Sequence, residues 1–388
     1  MKILHTSDWH VGKRIGRHDR MDEHRAAMAD VARIAGEERA DLILHSGDLF
    51  DRPMPPVEAL QAGLQGLVGL TDGGNRPVVV VAGNHDSPDL FEALAPFLAG
   101  FGVHLIGGIK RPDDGGVLTV DTGGGPAHIA CFPFLRAARA VDFMDRADKW
   151  YGSYADRIRR ICEVYAEEVA ARRAGGGVGL LVAHFMVGGV KVQVGVPRGE
   201  RELHMGEAYT ATAQAVPTSM DYVAMGHIHA PQPVPGAPVP AEYAGSLLHL
   251  DFGEAGEQKR VVLVEAAPDK PAVVRSIPVA AGRPLVRASG VWEDLAARTD
   301  LDDVWLDLAV ETKGPEPGLA DLAQERFPYL VKVQARYERA GDGERATEGM
   351  PLPDLYAAYC EARYGEPPGA ELAAAFAELE EEALGASS

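Results

Sequence analysis

Leu42-Ile43-Leu44-His45-Ser46-Gly47-Asp48-Leu49-Phe50-Asp51 sets the reading of the whole chain. An apolar run enters a glycine and stops on a carboxylate, the pattern of a buried strand that delivers an acid at its carboxyl end. In open α/β sheets, ligands bind at that end. Gly-Asp after a strand is also an ordinary turn, so Asp48 alone decides nothing. The weight comes from four other strand ends that carry ligand-type residues. These are Asp8-Trp9-His10, Gly83-Asn84-His85-Asp86, Ala183-His184-Phe185 and Gly226-His227-Ile228-His229.

Outward from this strand, strand and helix alternate. Residues 1–8 read as a strand followed by a base-rich loop, and residues 22–38 as a helix with Met28, Val31 and Ile34 on one face. The strand at 41–47 runs into Pro53, Pro55 and Pro56. A helix at 57–70 follows, and then a valine run from Pro77 to Ala82 that reads as a strand. Pro88 opens the next helix, to about residue 99, at a permitted first-turn position. This rhythm predicts an α/β layered sheet. The glycines at 115–125 read as sheet-edge loops, and a helix is expected at 155–173, stopping at Gly175-Gly176-Gly177. Strands are expected at 178–183, 221–225, near 242–250 and at 260–265, with Pro268 to Pro278 a linker or an edge strand. Residues 283–336 read as a small separate α/β unit. A polar linker at Gly341-Asp342-Gly343 precedes two short terminal helices, the last with Leu372, Phe376, Leu379 and Ala383 on one face.

The length of 388 residues and the 46% hydrophobic content predict a globular chain of two or three domains. No apolar run approaches the roughly 18 residues of a membrane span. Met1-Lys2-Ile3-Leu4 runs straight into Asp8, without the marks of a secretory leader. Cys131, Cys162 and Cys360 are few, odd in number and far apart, so reduced thiols and a cytoplasmic location are expected. The formal charge of −19 argues against general nucleic-acid affinity, but residues 281–388 carry 22 acids against 10 bases, a net of −12. The remaining −7 is spread over 280 residues, so the acidic tail says little about what the amino-terminal part binds.

Imidazole, carboxylate and one amide oxygen form a mixed donor set suited to Mn²⁺, Fe²⁺ or Zn²⁺. The lack of cysteine in the pattern argues against structural zinc. Two ions sharing a bridging carboxylate are common in phosphoester hydrolases, and Asp48 is the natural bridge. A lone histidine at a strand end is more often an ordinary core residue. His5, His18, His24, His45, His104, His128, His204 and His249 keep that reading.

In this order, Asp-x-His, Gly-Asp, Gly-Asn-His-Asp, a lone His and Gly-His-x-His resemble the calcineurin-like metallophosphoesterases. Thr6-Ser7-Asp8-Trp9-His10, Gly47-Asp48-Leu49-Phe50-Asp51, Tyr243-Ala244-Gly245-Ser246 and Asp251-Phe252-Gly253-Glu254 narrow the resemblance to the bacterial SbcD family, the nuclease subunits of SbcC–SbcD complexes. The motifs span about residues 1–265; beyond that the likeness rests on length and layout. The resemblance implies a four-layer α-β-β-α sandwich over 1–268, a small α/β capping domain over 280–338, and a linker with partner-binding helices over 339–388. It implies that Asp8, His10, Asp48 and His229 hold one Mn²⁺ and that Asp48, Asn84, His184 and His227 hold the other, with Mg²⁺ as an alternative ion. His85 would protonate the leaving 3′ oxygen and Asp86 would orient His85. Where some members carry a second histidine, this chain has Asp51-Arg52.

Lys13, Arg14 and Arg17, then Arg136 and Arg139, then Lys191, Arg198 and Arg201 lie in loops after ligand-bearing strands, where they could grip DNA phosphates; Arg52 joins them. The family implies double-stranded DNA ends and hairpins as substrates, an SbcC-type ATPase as partner for the terminal helices, and a homodimer through the helices near 57–70 and 88–99. Core burial of Leu60, Leu64, Leu67, Leu90, Phe91, Leu94 and Phe97 is the competing account of those two helices. The alternative activity is a phosphatase or small-molecule phosphodiesterase on the same fold. Pro53 after Arg52, and Asp86 where Ser/Thr phosphatases have Glu, weaken it.

Overall fold

The computed structural model describes residues 1–136, 154–191, 210–268, 270–337, 351–364 and 366–385. The chain divides into two compact units, Met1–Val310 with Gly318–Gln334, and Glu311–Pro317 with Ala335–Ser388. The strands in chain order are β1 (Lys2–Thr6), β2 (Leu42–His45), β3 (Val78–Val81), β4 (Val103–Ile106), β5 (Val117–Thr122), β6 (Gly125–Phe132), β7 (Val178–His184), β8 (Met186–Val187) and β9 (Thr210–Ala211). They continue as β10 (Tyr222–Gly226), β11 (Gln232–Pro233), β12 (Ala241–Tyr243), β13 (Arg260–Ala267), β14 (Lys270–Pro278), β15 (Leu285–Val291), β16 (Trp305–Glu311) and β17 (Leu330–Arg336). The four long helices of the first unit are α1 (Met21–Glu37), α2 (Val57–Gly69), α3 (Pro88–Ala99) and α4 (Tyr154–Arg173). Ser87 caps α3 by accepting from Leu90 N, and Pro88 occupies its first turn.

The strands form two six-stranded sheets, in the orders β14-β13-β1-β2-β3-β4 and β11-β12-β10-β7-β6-β5. The alternation of side chains along each strand decides the layering. Ile3, Leu42, Leu44, Val79 and Val81 of the first sheet meet Ile129, Leu180, Val182, Tyr222 and Ala224 of the second in a dry inner layer. On the outer face of the first sheet, Leu4, Ile43, Val78 and Val80 pack against Met28, Val31 and Ile34 of α1 and Phe91 of α3. On the outer face of the second, Ala130, Phe132, Leu181 and Val223 pack against Ile158, Ile161, Tyr165 and Val169 of α4. Helix, sheet, sheet, helix is the four-layer sandwich. The periodicity around residues 1–100 describes only its first half.

Two expectations need correction, and one open choice is decided. Residues 115–125 are not all loop: Gly115 and Gly116 end a helical turn at Pro112–Gly116, β5 and β6 form an antiparallel hairpin, and Gly123, Gly124 and Gly125 make its turn. The strand expected near 242–250 stops at Tyr243, because Gly245 turns at φ 82° and the backbone beyond it closes around Glu254. Of the stretch read as a linker or an edge strand, Lys270–Pro278 is an edge strand, with β14 running antiparallel to β13.

A third sheet, β15-β16-β17, lies in the first unit up to its last residues. Ile15, Leu285 and Trp305 pack together with Phe252, Tyr329 and Val331. Glu23 of α1 accepts from Trp305 Nε1 at 3.0 Å and from Arg20 and Arg283, which ties this sheet to α1 by a buried ionic cluster. In the second unit, helices Leu352–Tyr364 and Ala370–Gly385 stack Tyr356 on Phe376 with centroids 4.1 Å apart, and Leu372 and Leu379 stay exposed. No described helix is long and apolar enough to cross a membrane, and the three cysteines are free and buried.

Candidate metal centre

All seven expected ligands sit at the carboxyl ends of β1, β2, β3, β7 and β10, and their donor atoms converge where the two sheets meet. Asp8, His10, Asp48 and His229 offer four ligand atoms within 4.8 Å of one another. His184 Nε2 lies 3.4 Å from Asp48 Oδ2 and 3.0 Å from Asn84 Oδ1, which also lies 2.8 Å from His227 Nδ1. The same Asp48 Oδ2 is 3.6 Å from His10 Nε2. One carboxylate oxygen thus stands between two groups of donors.

The backbone is bent to achieve this. Asp8 (φ 50°), His10 (φ 44°), Asp48 (φ 52°) and His227 (φ 92°) are four of the six non-glycine residues with positive φ among those described. Such strain persists only where the surroundings over-determine it. Gly83 allows a close approach: a Cβ there would fall 2.1 Å from Asp48 Oδ1.

Hydrogen bonds fix the ring faces. His184 Nδ1 pairs with the Ser46 carbonyl at 2.8 Å and His229 Nδ1 with Glu254 Oε1 at 3.0 Å, so in both rings Nδ1 is occupied and Nε2 is turned to the pocket. Asp48 Oδ1 accepts from His85 N at 2.8 Å, and Asp8 accepts from His227 N at 3.1 Å.

The charges point the same way. Burial raises the Asp8 carboxyl and lowers the His10 imidazole. Burial would raise Asp48 as well, but His184 and His10 outweigh it and hold that carboxyl well below its usual range. Burial would lower His184, yet Asp48 lifts it to about 9. A buried cup of carboxylates and imidazoles needs compensating positive charge, and divalent cations supply it. Oxygen and imidazole donors without thiolates suit a borderline or hard ion, and two groups sharing Asp48 suit two ions.

Known proteins resemble this chain in sequence. The model of the calcineurin-like phosphoesterases matches residues 1–231. The chain belongs to that family. Within it, the chain is 31% identical to the SbcD component of the nuclease SbcCD from Bacillus subtilis, over 98% of this chain and 97% of that protein, so it also belongs to the SbcD nucleases. It is 28% identical to the corresponding SbcD component from Escherichia coli K12, over 91% of this chain and 83% of that protein. It is 27% identical to the DNA double-strand break repair protein Mre11 of Aeropyrum pernix, over 70% of this chain and 59% of that protein.

In this phosphoesterase His85 stands beside the cup, its ring 4.8 Å from that of His10 by centroids. Its orientation differs from expectation. The two Asp86 oxygens accept from the backbone N–H groups of Gly83, Leu49 and Phe50, so Asp86 staples the β2 and β3 loops together instead of steering the His85 ring. Burial and the nearby Asp48 push the Asp86 carboxyl up to about 7 against the pull of those three donors. His85 Nδ1 lies 2.9 Å from the Asp51 carbonyl instead, which leaves Nε2 free.

Asp51, where some members carry a second histidine, also reaches the cup. Its Oδ1 pairs with Lys13 Nζ at 3.2 Å and stands 4.0 Å from His10 Nδ1, a buried atom with no hydrogen-bond partner. Its Oδ2 is 3.7 Å from Arg52. Lys13 and Arg52 are thereby tied to the cup. Arg14, Arg17, Arg136 and Lys191 are exposed, and Arg139, Arg198, Arg201 and His204 lie outside the described residues. Of the side chains expected in a dimer, Leu67 and Phe91 are buried in the chain's own core, Leu60, Leu64 and Leu94 are half-buried against it, and Phe97 is exposed.

Sequence reasoning passed over the supports. Ser46 was only part of the strand, and Glu254 was only part of a resemblance. Phe134 stacks on His227 with centroids 6.0 Å apart, and it carried no motif.

Proposed function

We propose that this chain is the nuclease component of a complex that processes DNA double-strand breaks, cutting phosphodiester bonds at duplex ends and hairpins with two Mn²⁺ ions. The observation that carries the reading is Asp48 Oδ2, within 3.6 Å of His10 Nε2 and within 3.4 Å of His184 Nε2. Asp8, His10, Asp48 and His229 would hold one ion, and Asp48, Asn84, His184 and His227 the other. When bound, the ions supply charge neutralisation on the phosphate and an acidified water. The protein's part is positional. Strained loops hold the donors in place before substrate arrives. His85, its Nδ1–H directed to the Asp51 carbonyl, presents Nε2 to the leaving 3′ oxygen and donates the proton from that atom. Lys13, Arg14, Arg17, Arg52, Arg136, Arg139 and Lys191 would hold the phosphates that flank the cut.

The remaining assignments follow the family. Residues 1–268 form the nuclease domain and 280–338 a cap that positions DNA. The helices of 339–388 dock an SbcC-type ATPase through their exposed leucines. Phe97 and Val57, exposed on α3 and α2, favour a homodimer through those helices. Free, buried thiols favour the cytoplasm.

The test is degradation of blunt and hairpin duplex DNA with Mn²⁺, with and without the ATPase partner and ATP. Nucleotide release that needs Mn²⁺ and rises with the ATPase is expected. Release of phosphate from a phosphoprotein, with DNA left intact, would move the chain to the phosphatase reading.

A further inference from the structure

Behind His229 lies a second charged group that the reaction itself does not use. Glu254, at the end of the short helix Phe252–Glu254, is 4% exposed, and so is Lys259 at the approach to β13. Glu254 Oε1 takes His229 Nδ1 at 3.0 Å. Its other oxygen accepts from Lys259 Nζ at 2.7 Å, Leu250 N at 3.0 Å and Ser246 Oγ at 3.3 Å. Lys259 Nζ also reaches Ser246 Oγ at 2.9 Å, Glu257 Oε2 at 2.9 Å and the His229 carbonyl at 3.3 Å. A buried ion pair is an expensive way to stabilise a fold, since apolar residues of the same shape serve as well or better. Its retention behind a candidate ligand calls for a task that apolar residues could not perform.

We propose that Glu254, pinned by Lys259, is the positioning residue that fixes His229 as a metal ligand, by accepting a hydrogen bond from its Nδ1–H and so turning its Nε2 lone pair into the cup. This rests on the reading of His229 as a ligand. The three donors on Oε2 determine which atom can face His229. Lys259, Leu250 N and Ser246 all require an acceptor there, so Oε1 is left for the ring, and a negatively charged acceptor commits Nδ1 to carrying the proton. In Glu254→Gln the amide oxygen must stay with those donors. The amide NH₂ then faces His229 Nδ1, which has to accept, and the proton moves to Nε2 where it blocks the ion. Carboxylates behind ligating imidazoles act in this way, and their loss typically weakens metal affinity about 10–100-fold.

The test uses the full chain and Mn²⁺ alone, titrated by the electron spin resonance of the free ion, with ¹⁵N-histidine spectra of the metal-free protein at alkaline pH. The wild type is expected to bind two ions and to show His229 as the Nδ1–H tautomer. Glu254→Gln is expected to weaken one ion about 10–100-fold, leave the other unchanged and move the His229 proton to Nε2. A wild type that binds no Mn²⁺ overturns the ligand reading itself. A wild type with two ions whose His229 carries its proton on Nε2, or a Glu254→Gln protein with both affinities intact, overturns the proposal and leaves that reading standing. The wild-type spectrum decides even where the variant does not fold.

Discussion

The Nε2 atoms of His10 and His229 face each other at 3.2 Å inside a cup that also holds Asp8 and Asp48. His229 gives its Nδ1 to Glu254, so its Nε2 presents a lone pair. Two such atoms repel unless a cation or a proton lies between them, and a separation this short is one that two adjacent ligands of a single ion span. The folded state should therefore be strongly stabilised by divalent ions. At a free ion concentration about 100-fold above its dissociation constant, one site adds about 2.7 kcal/mol. Thermal unfolding with a chelator should occur several degrees below unfolding with Mn²⁺, and His10→Ala, which touches one ion only, should narrow the difference without abolishing it. An unfolding temperature indifferent to chelation would count against the centre.

His85 and Asp86 are neighbours in sequence with separate tasks, and two substitutions should separate them. His85→Gln keeps a side chain that can donate to the Asp51 carbonyl but removes the transferable proton, so turnover on DNA should fall about 10²–10⁴-fold with Mn²⁺ binding and thermal stability nearly unchanged. Asp86→Asn puts an amide among three backbone N–H donors that all need an acceptor. It should cost about 1–3 kcal/mol of stability and loosen metal binding through the loops it joins. Stability curves and Mn²⁺ titrations on both proteins distinguish the two patterns. Equal stability in Asp86→Asn, with loss of turnover alone, would restore the role of orienting His85.

The seven residues that converge at the cup were legible as candidates because each is a polar residue placed where an apolar strand must end, and a strand end is a local feature. The second sheet was less legible. Its strands open with the β5–β6 hairpin and resume only after α4, and glycine-rich turns look the same whether they close a hairpin or a loop. The support residues were harder still. Nothing near Glu254 in the sequence says that it will meet His229, 25 positions away, and Asp86 beside His85 invites the pairing that the backbone N–H groups pre-empt. Sequence exposes chemistry at strand ends; it hides partners set by how the two sheets close on each other.

Gly83 gives the most direct test of that closure. Its missing Cβ would stand 2.1 Å from Asp48 Oδ1 and 2.4 Å from Asp48 N, and neither atom can retreat without moving the shared ligand. Gly83→Ala should therefore affect both ions at once, unlike substitution of any candidate ligand other than the shared Asp48. Mn²⁺ titration should show both affinities reduced, with about 1–3 kcal/mol lost from overpacking. A variant that keeps two wild-type sites would mean that the β2 and β3 loops are not held at the separation described.

Beneath the cup, His5 lies between the sheets, its Nδ1 2.9 Å from Tyr222 Oη and its Nε2 2.8 Å from Ser46 Oγ. Burial, reinforced by Arg260, pushes its imidazole down to about 3. A histidine depressed in the folded state contributes stability above its unfolded value of about 6.5, and this is lost as pH falls from there towards the folded value. Between neutral pH and pH 5 the loss from this one residue should be about 2 kcal/mol. His5→Gln, which can still bond on both sides, should show an acid destabilisation smaller by about that amount. Urea unfolding of both proteins at the two pH values, in the same chelator, cancels the titration of the ligands. Parallel pH slopes would show that His5 is not held neutral.

Arg52 offers a way to count phosphate contacts. Its side chain is 57% exposed and sits 3.7 Å from Asp51 Oδ2, next to the carbonyl that holds His85. That geometry leaves the guanidinium free to meet a phosphate while staying near the reacting position, where a planar donor fork can bond two oxygens. Arg33 on α1 is comparably exposed, but it is committed to Asp30 and Glu37 on its own helix. Arg52→Gln should weaken duplex binding equally for unrelated sequences and reduce the slope of log affinity against log salt by about 1, whereas Arg33→Gln should change neither. Binding isotherms at several salt concentrations with Ca²⁺ in place of Mn²⁺ keep the DNA intact during the measurement. An unchanged slope in Arg52→Gln would remove this residue from the DNA path and shift the grip to Lys13 on the other side of Asp51.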